Sequence, residues 1–231
     1  IKKFTDDVLI PNEEQLEIDE EVSKPIIDLI IKNGLFGISI PKRYGGLELS
    51  MKEQILLTFE FTRASSVYRS RFSTTIGLCS QAILDFGTDD QKNKYLPLMA
   101  NGDVVGSFAL TEPNAGSDAT SLETTAKREG NKYIINGTKK YITNAPYADI
   151  FLVMAKTDMT KKNSEGISSF LVESNLEGIK VGKAPKMLGQ KGSASPEVHF
   201  KNCAVDKDLL LGGKEGGGLK PALRGINHAR L

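Results

Sequence analysis

The spacing of the apolar residues changes near residue 104 of this 231-residue chain. Before it, apolar residues recur at helical spacing, as at Ile26, Ile27, Ile30 and Ile31. After it, short apolar runs with a period near two are separated by Gly, Asn, Asp or Ser. One chain with two periods predicts an α+β multidomain protein. We expect an N-terminal all-α helical domain over 1–104, a middle β-barrel or β-sandwich domain over 105–212, and a linker with the start of a C-terminal helical domain over 213–231.

Capping residues predict the helix boundaries in the first half. Ser50 stands three residues before Glu53, which is the spacing of a capping box. The other predicted boundaries are starts after Asn12 and Thr88, an end at Asn33–Gly34, and a helix over 73–86.

Turn residues divide the second half into short strands. The dipeptide Asn136–Gly137 lies between apolar alternations and predicts a hairpin over 133–143. Further strands are predicted over 150–154, 168–172, 179–181 and 197–200, and the glycines of 212–218 predict a hinge-like linker.

Composition excludes several classes of protein. With 30 Lys and Arg against 29 Asp and Glu, nothing indicates a nucleic-acid partner. No apolar run reaches the roughly 18 residues of a membrane span, and two histidines without partners at ligand spacing make a metal site unexpected. The cysteines Cys79 and Cys203 form no disulfide framework, which favours a soluble cytoplasmic protein. The ends at Ile1 and Leu231 suggest a piece of a longer polypeptide.

Two segments carry residues suited to a flat polar ligand. In 108–118 an apolar strand enters Thr111-Glu112-Pro113 and a small-residue loop, whose amides and hydroxyls could bind a heterocycle edge or a pyrophosphate. Taken alone, this segment is explained somewhat better by an ordinary strand followed by an Asx turn. In 141–144 an aromatic ring and a hydroxyl at i and i+2 would share one face of a strand. A cross-strand pair is the alternative there.

Together these segments resemble the acyl-CoA dehydrogenase flavoprotein family. Leu110-Thr-Glu-Pro-Asn-Ala-Gly-Ser-Asp118 precedes Asn136-Gly-Thr-Lys-Lys-Tyr-Ile-Thr-Asn144, and the segments 41–46, 91–97 and 187–192 and Arg230 follow the family's order. The resemblance covers essentially the whole chain.

The resemblance implies FAD as cofactor and α,β-desaturation of an acyl-CoA thioester, in fatty acid or amino acid catabolism. It implies flavin contacts for Phe108, Leu110, Thr111, Gly116, Ser117, Tyr141, Ile142 and Thr143. It implies substrate contacts for Arg69, Ser70, Ser117, Ser193, Asn227 and Arg230. It also implies an electron-transfer flavoprotein as electron acceptor and a homotetramer built as a dimer of dimers, with neither nucleic acid nor membrane as partner.

Two departures from the family affect the chemistry. Tyr141 stands where many members carry Trp. Ala229 occupies the position where some members carry the catalytic Glu, so we expect no catalytic residue here and a base in the region beyond Leu231. The 231 residues alone should therefore bind FAD weakly and catalyse nothing.

Three alternative functions remain open. Arg69-Ser70 resembles the segment of glutaryl-CoA dehydrogenases that binds the distal carboxylate, which would imply oxidative decarboxylation. The fold could also serve a non-catalytic acyl-CoA-binding or protein-binding member. An acyl-CoA oxidase, which passes electrons to oxygen, is the third.

Overall fold

A computed structural model describes residues 1–161 and 163–230. Its α-helices are α1 (Lys2–Phe4), α2 (Glu13–Asp19), α3 (Lys24–Lys32), α4 (Met51–Phe61), α5 (Ser66–Ser73), α6 (Ser80–Phe86), α7 (Asp89–Ala100) and α8 (Lys220–Ala229). The strands are β1 (Gly106–Ala109), β2 (Thr125–Glu129), β3 (Lys132–Lys139), β4 (Ile150–Lys156), β5 (Ile167–Glu173), β6 (Ile179–Val181) and β7 (Val198–Asp206). The predicted order of a helical domain followed by a β domain is confirmed. No helix in the described part of the chain is both long and apolar enough to cross a bilayer.

The predicted capping signals operate at the helix starts. Ser50 and Glu53 form both hydrogen bonds of a capping box at α4, and Thr88 does the same at α7. Gly34 follows α3 in the left-handed conformation, with φ of 72°. At α2 the side chain of Asn12 instead donates backwards to the Val8 carbonyl, because the preceding residues are already helical.

The helix predicted over 73–86 is one end of a longer helical run. Ser65 caps α5, which begins at Ser66. A π-helical segment, Thr74–Cys79, then joins α5 to α6 without a break. Sequence spacing alone missed the first turns, because Arg69 and Arg71 interrupt the apolar pattern there.

The strands form one sheet in the order β1-β4-β2-β3-β7-β6, with β5 also paired to β4. The hairpin predicted at Asn136–Gly137 is wrong, since β3 continues through both residues. The turn lies at Gly130–Asn131, where Glu129 of β2 pairs with Lys132 of β3. A Cβ at residue 137 would lie 2.7 Å from the Thr124 Cα, so glycine permits a close backbone approach there.

One apolar cluster joins the helices to the sheet. It includes Ile83, Leu96, Leu152, Leu171 and Ala222, which come from α6, α7, β4, β5 and α8. Separate clusters fill the helical region and the other side of the sheet. The helices and the sheet therefore pack directly against each other.

The glycine-rich segment 212–218, predicted as a hinge-like linker, is hydrogen-bonded to both halves of the molecule. The Gly212 amide donates to Gln91 Oε1 at 3.1 Å. The Gly216 amide donates to Ser168 Oγ at 2.9 Å, and the Gly218 amide donates to the Ile167 carbonyl at 2.9 Å. These contacts anchor the segment that leads into α8.

Candidate functional site

The two segments singled out in the sequence lie side by side. Strand β1 pairs in parallel with β4, with Phe108 opposite Leu152. Beyond the strand the Thr111 carbonyl accepts a hydrogen bond from the Lys140 amide at 2.8 Å. Phe108 and Thr111 are half-buried and Leu110 is buried. The structure thus brings the predicted flavin-contacting residues near 110 next to those near 141.

The segment Tyr141–Thr143 is not a strand, which corrects the prediction of a shared strand face. Strand β3 ends at Lys139, and Tyr141 adopts a left-handed backbone with φ of 59°. Its side chain is 63% exposed, whereas Ile142 is buried. The irregular backbone therefore leaves the aromatic ring of Tyr141 accessible to solvent.

Hydrogen bonds hold this irregular segment in place from two sides. The Ile142 amide donates to the Pro196 carbonyl at 2.9 Å. Ser107 Oγ donates to the Thr143 carbonyl at 2.6 Å, and Thr143 Oγ1 lies 3.0 Å from Ser195 Oγ. The segment is thus a positioned part of the sheet edge.

A groove of about 470 Å³ opens beside Tyr141. Its lining residues are Lys140, Tyr141, Gly182, Lys183, Pro185, Ser195, Glu197 and His199. The groove combines an aromatic face, a hydroxyl and two lysines, of which Lys140 lies 3.7 Å from the Glu197 carboxylate, and this set suits a flat polar ligand.

The polar atoms at this edge fit a heteroaromatic ring. Among the described residues, none pairs with the Thr111 amide or hydroxyl, or with the Tyr141 amide. Free donors beside an exposed aromatic side chain can bind the acceptor edge of a ring that stacks on that side chain. The residues present are therefore compatible with an isoalloxazine.

Gly116 and Ser117 lie on an exposed loop. The Glu112 amide donates to the Ala115 carbonyl at 2.9 Å, and a Cβ added at Gly116 would meet no atom within 4 Å. The Asx turn considered from sequence exists at Asp118, whose Oδ1 accepts from the Thr120 amide at 3.1 Å. The Asx turn is therefore present, while ligand contacts of the exposed Gly116 and Ser117 stay a prediction.

A buried ion pair behind Thr111 was missed by the sequence analysis. Lys139 Nζ lies 2.7 Å from Glu112 Oε1, and the two side chains are 0% and 3% exposed. Burial lowers the pKa of Lys139 to about 8 despite the attraction of Glu112. Burial also raises the pKa of Glu112, but Lys139 and hydrogen bonds from Thr124 and Glu123 overcome this, so its pKa lies below the usual value. The signal that could have revealed the pair is the period-two alternation of β3, which places Lys139 on the same buried face as Tyr133 and Ile135.

Arg69 lines a separate cavity of about 190 Å³ between helices. The other lining residues are Ile38, Met51, Gln54, Ile55, Thr58, Phe59, Ser73, Ile76, Gly77, Leu78, His228 and Ala229. Burial lowers the pKa of Arg69, and no described carboxylate lies within ion-pair distance of it. A cavity with a mostly apolar lining and the Arg69 guanidinium in its wall suits an acyl chain that ends in an acceptor.

Asn144 connects the sheet to the helices, and the sequence analysis also missed this contact. Its side-chain amide donates to the Ser70 carbonyl at 2.6 Å and to Thr74 Oγ1 at 2.9 Å. The Ser70 hydroxyl itself donates to the Val67 carbonyl at 2.7 Å. Ser70 therefore contributes its carbonyl to the domain contact, while its hydroxyl is used within α5.

The remaining predicted substrate residues are not gathered at either cavity. The Ser193 amide closes a turn by donating to the Gln190 carbonyl at 3.0 Å. Asn227 and Arg230 are exposed on and just after α8. None of the three lines the groove or the Arg69 cavity, so their role with substrate stays a prediction.

Comparison with known proteins identifies two family domains. Residues 1–103 match the acyl-CoA dehydrogenase N-terminal domain, and residues 107–203 match the acyl-CoA dehydrogenase middle domain. An acyl-CoA dehydrogenase of Bacillus subtilis (strain 168) is 39% identical over 100% of this chain and 60% of its own length. The chain therefore spans about 60% of this relative.

Solved structures agree with these matches. A chain in a structure described as the electron-transferring flavoprotein of Acidaminococcus fermentans is 38% identical, with a TM-score of 0.94 over 99% of this chain and 60% of that one. A glutaryl-CoA dehydrogenase of Mycobacterium smegmatis, solved in complex with FADH2, is 31% identical, with a TM-score of 0.90 over 99% and 57%. These matches cover both the helices and the sheet, and the chain belongs to the acyl-CoA dehydrogenase family, whose members are FAD-dependent flavoproteins.

Proposed function

We propose that the protein containing this chain uses FAD to desaturate an acyl-CoA thioester between its α and β carbons. The observation that carries the proposal is the hydrogen bond from the Lys140 amide to the Thr111 carbonyl. It joins two segments predicted to contact flavin, beside the exposed ring of Tyr141. Family membership supports the same chemistry.

The proposed roles of the residues follow from their polar atoms. The Thr111 amide and hydroxyl donate to the polar edge of the cofactor ring, where they stabilise negative charge. Tyr141 covers one face of the ring, and Thr143 supplies a second hydroxyl near it. Phe108, Leu110 and Ile142 provide apolar packing. When bound, FAD supplies the acceptor for the hydride that leaves the β carbon.

The catalytic base is proposed to lie outside these 231 residues. Removal of the α proton needs a carboxylate within hydrogen-bond reach. None of the described residues that line the Arg69 cavity is acidic, and Ala229 lies in its wall. The chain spans about 60% of its Bacillus subtilis relative, which leaves room for a base elsewhere in the protein.

An anaerobic absorbance titration of the purified full-length protein with a panel of acyl-CoAs tests the proposal. Bleaching of a bound yellow flavin by one of them would support dehydrogenation and identify the substrate class. The variant Thr111→Val keeps the side-chain volume but removes the hydroxyl, and we expect weaker FAD binding. A protein that holds FAD but never bleaches would favour a non-catalytic member, and one that binds no FAD would refute the proposal.

A dicarboxylic substrate such as glutaryl-CoA is the second candidate, because no acidic residue is among the described residues that line the cavity of Arg69. A bidentate pair with a distal carboxylate would suit a guanidinium. The variant Arg69→Met should then slow flavin reduction by glutaryl-CoA about 100-fold, as expected for the loss of a charged hydrogen bond worth about 3 kcal/mol. Butyryl-CoA serves as the comparison substrate, and Arg63→Met, which removes an exposed arginine, is the control. Equal losses with both substrates would refute this specificity.

An electron-transfer flavoprotein is the proposed electron acceptor, and a dimer of dimers is the proposed assembly. The similarity to a chain of the Acidaminococcus fermentans structure supports the first. Stopped-flow reoxidation by such a flavoprotein, compared with oxygen, would separate a dehydrogenase from an oxidase. Light scattering of the full-length protein would test the tetramer.

A further inference from the structure

The buried pair Lys139–Glu112 makes more contacts than a simple ion pair. Besides Glu112, Lys139 Nζ donates to the Leu110 carbonyl at 3.2 Å and to the Met154 carbonyl at 2.7 Å. Glu112 Oε1 accepts from the Thr124 amide at 3.0 Å, and the Glu112 carboxylate also accepts from the Glu123 amide. The pair thus connects β3 and β4 to the segment before β2.

Thr111 lies between two residues that this network holds. Its predecessor Leu110 is bound through its carbonyl, and its successor Glu112 is bound through its carboxylate. The Thr111 carbonyl itself accepts from the Lys140 amide. With both neighbours fixed, the peptide planes on either side of Thr111 have little freedom to rotate.

Stability alone does not account for such a pair. Apolar residues of similar volume often fill a buried site equally well, because desolvation of two charges offsets their attraction. Buried charges do, however, require one arrangement, since any displacement leaves a charge unpaired. This favours a role in fixing local geometry beside the candidate flavin site.

We propose that Lys139 and Glu112 are positioning residues that orient the amide and hydroxyl of Thr111 toward the cofactor ring. The inference rests on the proposed function, because it assigns Thr111 to the flavin. Neither side chain touches the cofactor in this proposal. Their effect is transmitted through the backbone of 110–112.

The dissociation constant of FAD from the full-length apoprotein tests this inference, measured by quenching of flavin fluorescence. We expect Lys139→Met to weaken FAD binding about tenfold, which corresponds to about 1.4 kcal/mol or one hydrogen bond. Glu112→Gln keeps one acceptor oxygen and should cause a smaller loss. The control Lys94→Met removes an exposed lysine, 2.8 Å from Glu173, and should bind FAD as the wild type does.

Circular dichroism and the visible absorbance spectrum separate positioning from folding. FAD binding by a variant is compared with that of the wild type only if circular dichroism shows equal helix content in the two proteins. The weaker binding should be accompanied by a shift of the flavin absorbance bands. Folded Lys139→Met that binds FAD within twofold of the wild type, with an unchanged spectrum, would overturn the inference. If Lys139→Met does not fold, the same criterion applies to Glu112→Gln. Failure of the wild type to bind FAD would instead refute the proposed function.

Discussion

Replacement of Asn144 should weaken the contact between the helices and the sheet by a predictable amount. Asn144 is 1% exposed and has a left-handed backbone, with φ of 65°. Its side chain makes hydrogen bonds of 2.6 Å and 2.9 Å to Ser70 and Thr74. A substitution therefore changes two separable quantities, which are the buried hydrogen bonds and the strain of the backbone.

Two variants separate these quantities. Both Asn144→Gly and Asn144→Ala lose the two short hydrogen bonds and a longer one of 3.4 Å to the Arg71 carbonyl, which together cost about 2 kcal/mol in the free energy of unfolding. The left-handed backbone lowers the free energy of unfolding of the alanine variant by about 1–2 kcal/mol more. The greater entropy of the unfolded chain lowers that of the glycine variant by about 0.7 kcal/mol. We therefore expect losses of about 2.7 kcal/mol for glycine and about 3–4 kcal/mol for alanine, so that alanine is the worse by about 0.3–1.3 kcal/mol.

Urea denaturation measured by circular dichroism provides the free energies, and Asn202 provides the control. Asn202 is exposed and also left-handed, with φ of 50°. Asn202→Ala should therefore show the backbone strain without the loss of buried hydrogen bonds. Losses at Asn144 no larger than those at Asn202 would show that the two hydrogen bonds contribute nothing, and would refute the reasoning.

Three further predictions concern packing, pH and thiol reactivity. Gly46→Ala should destabilise by about 3 kcal/mol in urea denaturation, the upper end of the roughly 1–3 kcal/mol that overpacking costs, because the new Cβ would lie 2.0 Å from the Ile40 carbonyl oxygen. Folding lowers the pKa of Glu112 from its ordinary value of 4.5. The ionised carboxylate therefore stabilises the folded state above pH 4.5, and this stabilisation is lost as the pH falls through the folded-state pKa. Between pH 6 and pH 3, the free energy of unfolding of Glu112→Gln should therefore fall by less than that of the wild type. Equal decreases in the urea midpoints of the two proteins would contradict this. Burial raises the pKa of Cys79 to about 12 and that of Cys203 to about 11, so a thiol reagent should label neither in the native protein and both in urea, and rapid native labelling would refute their burial.

Local side-chain chemistry made much of the helical half predictable. The capping boxes at Ser50 and Thr88 need only residues three positions apart, and both occur where the sequence indicates. The same reasoning failed at Asn136–Gly137, where a turn signal lies inside β3. There the close approach of Thr124 requires glycine, and Thr124 is distant enough in sequence to leave no local trace.

The candidate site likewise contains some features that were recognisable in the sequence and others that only the fold creates. The motifs around Thr111 and Tyr141 were recognisable in the sequence because they are contiguous. The Lys139–Glu112 pair and the contact of Asn144 with Ser70 were not, since each joins residues 27 or 74 positions apart. Tyr141 was placed on a strand because alternation was extended past Lys139, where the backbone turns left-handed.

The sequence by itself determined the family, the order of helical and β regions, and the segments that could contact a flavin. Those properties depend on residue type and short-range spacing, which a linear chain displays directly. Only the tertiary structure decided that Thr111 and Lys140 are hydrogen-bonded neighbours, that Arg69 lies in a cavity with no acidic residue among its described lining, and that Lys139 is buried against Glu112. These relations depend on desolvation and on contacts between distant segments, which exist only when the sheet and the helices pack together.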